Sequence, residues 1–498
     1  MQIDWSTEEP APAEGQLLVV PVREDAEPTA NADRFGAHVQ GAAEASRFAG
    51  KTAESFAFTR DVGGVLQHVV LMGVGSGIDN PAALRQVAHD STRQAERVGA
   101  RHLVVDLRSE DEALAVGPTP AHAGDLFAQG AELGAYRYER FLSETNRRPS
   151  SVETVAVVAS STAAAEGTAR GQIIAASVAR ARDLGNGPAE LVTPNHLAET
   201  AKEIVDALAG HADVSLTVLD RDACAKRGMG CFLGVAKGSD EPPQFIHLHY
   251  KPKSTPKGRI ALIGKGVTFD SGGYSIKPTD GMLDMKLDMC GSAAVIAAFE
   301  GLAKLGVAYE VDVVVAATEN MVSGHAYRLG DVLTASNGKT VEINNTDAEG
   351  RLTMADALVY ASSFEPDLMI DFATLTGACI VALGPKIAGV MTADEKLWAD
   401  WSAASDAAGE QMWRLPLPLD LKEQLKSKVA DMKNTGERWG GALTAGLFLS
   451  EFTEGRRWMH VDIAGPAMAS KPHGITTPGA SGFPVATILA LLSADVQR

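Results

Sequence analysis

Asn345-Thr346-Asp347-Ala348-Glu349-Gly350-Arg351 places three charged groups at alternate positions, Asp347, Glu349 and Arg351. In an extended backbone alternate side chains share a face, so two carboxylates and a guanidinium are expected to converge on one spot. Downstream, Leu352, Ala355, Leu358 and Val359 recur at helical spacing, and Gly350 permits a sharp turn at the helix start. Upstream, Asn337-Gly338 between Val332-Leu333 and Thr340–Ile343 reads as a β-hairpin. A strand, then clustered charge, then a helix is how open α/β sheets build sites at the carboxyl ends of their strands. Taken alone, the stretch has a second, less favoured reading as a solvated turn with an incidental ion pair.

Around it lie 498 residues, 45% hydrophobic and 22% charged, which is ordinary for a globular protein of two or three domains. Met1 to Pro10 is acidic and has no apolar segment of the signal-peptide kind, and no apolar run approaches the ~20 residues that span a bilayer. The four cysteines, Cys224, Cys231, Cys290 and Cys379, form no CxxC pair. Free thiols and a cytoplasmic location are therefore expected, with no membrane partner. The net charge of −18 disfavours nucleic acid as a partner.

Residues 1 to about 165 alternate strand and helix patterns: strands Gln16–Val22, Leu66–Met72, Leu103–Leu107 and Val155–Ala159, helices Pro81–Val98 and Ala123–Phe141. Such alternation implies a largely parallel sheet flanked by helices. Gly73-Val74-Gly75-Ser76-Gly77 resembles a nucleotide loop, but Ile78 stands where its third glycine belongs, and a plain βα turn is the expectation. An Ala-rich helix, Ala165–Leu184, links to the second part of the chain and stops at Gly185-Asn186-Gly187-Pro188. Thr193-Pro194 then opens another helix. Beyond it the expected strands are Leu216–Leu219, Phe245–Tyr250, Arg259–Ile263, Tyr309–Ala316, Leu368–Thr374 and Trp458–Ile463. The expected helices are Ser292–Leu305, Leu352–Ser363, Lys422–Val429 and Ala442–Phe452.

The strand Arg259–Ile263 runs into Gly264-Lys265-Gly266-Val267-Thr268-Phe269-Asp270-Ser271-Gly272-Gly273, which puts Lys265 and Asp270 at or just beyond a strand end. Lys277 and Asp288 follow, giving four carboxylates (Asp270, Asp288, Asp347, Glu349) and three cations (Lys265, Lys277, Arg351). Four clustered carboxylates repel unless compensated, and two divalent cations would compensate them. Oxygen-rich ligation suits Mg²⁺, Mn²⁺ or Zn²⁺, and a pair of such ions is the apparatus of two-metal hydrolysis. On residue chemistry alone Lys265 is more simply an ion-pair partner of Asp270 than a ligand, since a ligating lysine must be neutral. His247-x-His249 would share a strand face and could bind metal, though a satisfied strand pair is the simpler reading. Cys290 reads as a small buried thiol, and Met285, with Met282 and Met289, as pocket lining or core filling.

These motifs resemble the signature of the leucyl aminopeptidase (cytosol aminopeptidase) family. The resemblance rests on residues 345–351, Gly264–Gly273, Ser275-Ile276-Lys277-Pro278, Asp288, Ala373-Thr374-Leu375-Thr376-Gly377-Ala378, Asp462-Ile463-Ala464-Gly465 and Asp183-Leu184-Gly185-Asn186-Gly187-Pro188-Ala189. It covers about residues 180 to 498; the N-terminal third is similar in layout only. It implies an α/β protein of two domains: a smaller N-terminal α/β domain with an assembly role (1–164), a linking helix (165–184), and a larger C-terminal α/β catalytic domain with a central mixed sheet flanked by helices (185–498). It implies a metal-dependent exopeptidase, releasing leucine and other apolar N-terminal residues from peptides by attack of a metal-bridging water. Lys265, Asp270, Asp288 and Glu349 would hold one of two metals (Zn²⁺ or Mn²⁺, with Mg²⁺ a further option), and Asp270, Asp347 and Glu349 the other. Lys277 and Arg351 would be catalytic, Lys277 on the substrate carbonyl and Arg351 on a bicarbonate that relays protons. Met285, Thr374, Gly377 and Ala464 would line the pocket for the first side chain, and Leu375 would contact the substrate backbone. The chain departs from the family pattern at Cys290, where relatives carry Gly, and in the variable wall Pro466-Ala467-Met468, so side-chain preference stays open. The family is typically hexameric. Two rivals stand beside this reading: a relative that binds DNA or is non-catalytic, and another two-metal hydrolase such as a phosphoesterase. A retired enzyme would have lost a ligand, and all four carboxylates are present.

Overall fold

The computed structural model describes residues 1–24, 34–117 and 119–494. They form two compact units, Met1–Ala176 and Ser177–Arg498, and the division falls within the helix Ala165–Asn186. That helix runs through Gly185-Asn186, two residues past the expected stop.

The first unit is a six-stranded sheet in the order β1-β6-β5-β2-β4-β3: β1 Gln2–Ser6, β2 Gln16–Val22, β3 Ser55–Val62, β4 Val65–Gly73, β5 His102–Asp106 and β6 Thr154–Val158. Every pairing is parallel except β3 with β4. β2 (Gln-Leu-Leu-Val-Val-Pro-Val) is buried along its whole length, as a central parallel strand covered on both faces must be. The outer β1 and the β3–β4 hairpin go beyond the expected strands; the hairpin turns on Gly63-Gly64, both at positive φ (64° and 91°). The helix Pro81–Arg97 is capped by Asn80, whose side chain accepts from the Ala83 amide at 3.0 Å. The expected helix 123–141 is Pro120–Ala135. The glycine-rich turn 73–77 is a packed βα turn: the amides of Gly73, Val74, Gly75 and Gly77 donate to the carbonyls of Glu54, Val22, Gly50 and Val74, so these four donors are spent inside the fold.

The second unit holds an eight-stranded mixed sheet. Its strands in chain order are β7 Asp213–Leu219, β8 Gln244–Lys251, β9 Arg259–Asp270, β10 Glu310–Asn320, then, past the small hairpin β11 Val332–Thr334 and β12 Thr340–Glu342, β13 Leu368–Ala373, β14 Ala388–Met391 and β15 Met412–Arg414. β16 Met432–Lys433 joins the small hairpin, and β17 Trp458–Asp462 completes the large sheet, whose order is β15-β14-β17-β13-β9-β10-β8-β7. The central β9 is parallel to both neighbours, β10 and β13. It is seven residues longer than the expected 259–263. Lys265 therefore lies inside the sheet, opposite Ala316, and Asp270 is the last strand residue, opposite Asn320. Two helices pack on β9, Cys290–Leu305 and Gly350–Ser362. A Cβ on Gly264 would lie 2.7 Å from the Ser292 Cα, and one on Gly350 would lie 2.4 Å from the Lys265 Cε. Successive strand residues face opposite ways, so the two helices cover opposite faces of β9. The expected helix 422–429 is instead a 3-10 helix, Leu419–Leu425. Among the described residues no helix is long and apolar enough to cross a membrane.

Candidate metal centre

The stretch 345–351 is a turn leading into a helix, not an extended strand end. Thr346 and Asp347 form a turn, Glu349 already has helical dihedrals (φ −78°, ψ −35°), and the helix begins at Gly350. The strand alternation is therefore not what brings these charges together: the two carboxylates do converge, but each of the three groups has its own partner. Asp347 meets Lys277, with Nζ to Oδ1 at 2.6 Å. Glu349 meets Lys265, with Nζ to Oε1 at 3.0 Å. Arg351 donates from Nη1 to the Asn434 carbonyl at 2.8 Å.

Two lysines organise four carboxylates. Lys265 Nζ also donates to Asp288 Oδ1 at 2.7 Å and to the Thr374 carbonyl at 3.0 Å. Lys277 Nζ also lies 2.8 Å from Asp270 Oδ2. Lys265 thus pairs with Asp288 and Glu349, and Asp270 takes Lys277 instead of the expected Lys265. Donor oxygens of Asp270, Asp347 and Glu349 lie within 4.8 Å of one another.

Burial sets the electrostatics. It pushes Asp270 up to about 6, reinforced by the Glu349 charge and opposed by Lys277 and Lys265. Burial likewise carries Asp288 well above the carboxylate range and raises Asp347. Glu349 is buried too, but Lys265 and Lys277 outweigh that and hold it below its ordinary value. Both lysines are raised, because the surrounding carboxylates overcome the burial that would lower them. Burial brings Arg351 down to about 10.

Buried oxygens Asp288 Oδ2 and Glu349 Oε2 and the Arg351 Nε carry no hydrogen-bond partner. Orphaned carboxylate oxygens in a set of four buried acids fit divalent cations, and an orphaned guanidinium N–H fits a small anion.

The supporting residues were mostly invisible to sequence reasoning. Asn320, at the end of β10, donates from Nδ2 to Asp270 Oδ1 at 2.7 Å and to the Thr346 carbonyl at 3.0 Å. Tyr327 Oη donates to the same carbonyl at 2.8 Å. Asn434, fully buried after β16, donates to the Asn345 and Ala348 carbonyls at 2.6 and 3.3 Å and accepts from the Asn344 amide at 3.0 Å. Asp462 accepts from the Leu375 amide at 3.2 Å, the Thr376 hydroxyl at 2.7 Å and the Ala464 amide at 3.1 Å, fixing the loop whose Thr374 carbonyl receives Lys265. The only advance signal was an Asx-type residue near a turn or strand end. Asn434→Ala strands several buried backbone groups at once and is expected to cost about 2–3 kcal/mol, read as a lowered urea midpoint at unchanged slope.

Thr374 donates from its hydroxyl to Asp288 Oδ1 at 2.8 Å and so joins the centre directly. Met285, Leu375 and Ala464 are half-buried. Gly377 is exposed, and a Cβ built on it meets nothing within 4 Å, so this helix start faces open space. Cys290 is buried, and burial pushes its thiol up to about 12, which leaves it neutral and unreactive.

Comparison with known proteins agrees over both units. The family model described as "Cytosol aminopeptidase family, catalytic domain" matches residues 179–489, and that of the same family's N-terminal domain matches residues 19–145, where the sequence alone suggested similarity of layout only. The chain is 43% identical over 465 residues to a probable cytosol aminopeptidase of Microcystis aeruginosa, covering 93% of this chain and 92% of that one. It is 45% identical over 452 residues to a probable cytosol aminopeptidase of Acaryochloris marina, covering 89% of each. Among solved structures, a mutant of tomato leucine aminopeptidase superposes with a TM-score of 0.88 at 34% identity, covering 99% of this chain and 96% of that one. The bottromycin maturation enzyme BotP in complex with Mn superposes with a TM-score of 0.84 at 34% identity, covering 97% and 99%. On these matches and on its α/β fold, the chain belongs to the cytosol aminopeptidase family and is a hydrolase of the aminopeptidase kind.

Proposed function

We propose that the chain is a two-metal aminopeptidase acting on peptides with a free N-terminus, with leucine and other apolar residues preferred at the first position. One observation carries the reading: Asp270, Asp288, Asp347 and Glu349 gather around Lys265 and Lys277 with buried carboxylate oxygens left unpaired. Lys265, Asp270, Asp288 and Glu349 would hold one cation. Asp270, Asp347 and Glu349 would hold the second, with the Asp347 carbonyl. Carboxylate oxygens with one amine suit Zn²⁺ or Mn²⁺ better than Mg²⁺, which shuns nitrogen. Such cations, when bound, polarise a scissile carbonyl and lower the pKa of an attacking water.

The chain's own groups supply the rest. Lys265 must give up a proton to ligate, and a dication in the same carboxylate cluster competes for that electron pair. Lys277 keeps its proton, and once a cation takes over Asp270 and Asp347 its ammonium is free to donate to the substrate carbonyl oxygen and to the charge that develops there. Arg351 gives its Nη1 to the Asn434 carbonyl rather than to Asp347 or Glu349, and its unpaired Nε supports an anion site; bicarbonate there would supply the proton relay. Met285, Thr374, Gly377 and Ala464 would wall the pocket for the first side chain, and Leu375 would steady the substrate backbone. Catalysis belongs to residues 185–498 and assembly, as a homohexamer in the cytoplasm, to 1–164, joined by the helix of 165–184.

Purified protein supplied with Mn²⁺ or Zn²⁺ should release leucine from a leucyl anilide. A chelator should abolish the release, and added metal restore it. No release from any aminoacyl substrate with two ions bound per chain would rule the reading out, and hydrolysis of a phosphate ester instead would favour a phosphoesterase.

A further inference from the structure

The strand pair β8–β10 carries a second cluster that the aminopeptidase reading does not use. His247 and His249 are alternate residues of β8, so their rings share a face. Asp312 of the antiparallel β10 stands directly opposite His249 in register. His247 Nε2 and His249 Nδ1 both lie 2.9 Å from Asp312 Oδ1. Two imidazole nitrogens and one carboxylate oxygen therefore converge on one point.

The groups around these three are arranged as metal ligands usually are. A metal-bound histidine is oriented by a partner on its other ring nitrogen. His247 Nδ1 lies 3.4 Å from the Tyr360 hydroxyl, and the ring stacks on Phe364 with centroids 4.5 Å apart and planes at 18°. His249 Nε2 lies 3.6 Å from Glu310 Oε1. Arg259 donates to Asp312, from Nε to Oδ2 at 2.6 Å and from Nη2 to Oδ1 at 3.1 Å. Asp312 is fully buried; burial acts to raise its carboxyl, but the bonds from His247, His249 and Arg259 hold it well below the usual range, so it stays ionised. With both rings neutral, as ligation requires, the charges of Asp312, Glu310 and Arg259 sum to a single negative charge; the bond to Asp312 raises His249, so a cation displaces a proton there.

We propose that His247, His249 and Asp312 form a separate site for one late first-row dication, of the Zn²⁺, Ni²⁺ or Cu²⁺ class. Two imidazoles from alternate positions of one strand, with a third ligand from the next strand, leave a fourth position for water. The side chains of His249 and Arg259 are 26% and 30% exposed, which gives that position access to solvent. Ligand atoms on a tetrahedral ion with bonds of about 2.0 Å stand roughly 3.3 Å apart. The observed 2.9 Å contacts need only open slightly to admit it. Asp312 pairs with Ala261 on β9, nine residues before Asp270, which puts this site roughly 30 Å along the sheet from the four carboxylates.

The test uses the untagged full chain in excess Mg²⁺, which avoids imidazole, with one equivalent of Cu²⁺. No histidine belongs to the carboxylate centre, so electron spin-echo modulation from coordinated imidazole separates the new site from that centre, and the His249 variants separate it from the other histidines of the chain. Wild type should show two equatorial imidazoles. His249→Ala should lose that signal and bind Cu²⁺ at least about 100-fold more weakly, no less than the loss of an outer partner alone can cause, while keeping leucyl-anilide hydrolysis and a cooperative melt, lowered only by the lost bond to Asp312. His249→Gln serves as the second variant should the alanine fold poorly. Wild type without imidazole modulation, or the same two-imidazole signal in the His249 variants, overturns the proposal and leaves a hydrogen-bonded cluster. Neither result depends on whether the carboxylate centre proves to be an aminopeptidase.

Discussion

Replacing Lys277 by alanine is expected to lower kcat/KM on a leucyl anilide about 10²–10³-fold, the scale seen when one preorganised donor to a developing oxyanion is removed. Metal content should hold or rise. The reason lies in the pairing without metal: Lys277 lies 2.8 Å from Asp270 and 2.6 Å from Asp347, so it competes with a cation for those two carboxylates. Its removal makes the cluster more negative and more receptive to a dication. Lys277→Arg keeps the charge but not the compact ammonium, and should recover only part of the rate. Kinetics with elemental analysis of the same samples decides the matter. A variant that loses metal in proportion to activity would make Lys277 a structural counter-ion rather than a group acting on the substrate.

The lysine pairings separate what sequence alone determines from what it does not. Charge, residue type and motif spacing assembled the four carboxylates and two lysines before any geometry was known. They do not say which lysine serves which acid, because that depends on strand register, and the strand expected from sequence ends at Ile263, short of β9's end at Asp270. A Gly-Lys-Gly break in an apolar run looks like a strand end. Here it is not, since the glycines let neighbours press against the strand: a Cβ on Gly266 would lie 2.8 Å from Val315 Cγ1. Alternation at 347, 349 and 351 suggests convergence of all three; a turn followed by a helix keeps the Asp347 and Glu349 carboxylates together and turns Arg351 to the Asn434 carbonyl. Asn434 was beyond reach, because its contacts with Asn344 and Asn345 span about ninety positions of chain. The outer strands β1 and β3 leave no continuous apolar run in the sequence, because their burial is partial or alternating.

Gly350→Ala is expected to fold and to lose most of its activity. At an ordinary helix start, alanine in place of glycine stabilises by up to about 1 kcal/mol. Gly350 has no positive φ to protect, so the turn anticipated from sequence is not why it is glycine. The reason is Lys265, whose stem passes over the helix start: a Cβ at 350 would stand 2.4 Å from Cε, 2.6 Å from Nζ and 2.8 Å from Cδ. Lys265 cannot yield easily. It is 3% exposed, its Nζ is fixed by Asp288, Glu349 and the Thr374 carbonyl, and its backbone is central in the sheet. Gly291 presses from the other side, where a Cβ would lie 2.9 Å from the Lys265 amide nitrogen. Overpacking of this kind costs about 1–3 kcal/mol and moves side chains off their rotamers. A shift of about 1 Å in a group that orders the reacting centre can cost about 10²-fold in rate. The variant should therefore show a modestly lowered melting temperature, weaker retention of the metal that Lys265 helps to hold, and activity down by about two orders of magnitude. Wild-type activity and metal retention in Gly350→Ala would mean that Lys265 swings clear at no cost, and the assignment of its amine to a metal would fall with it.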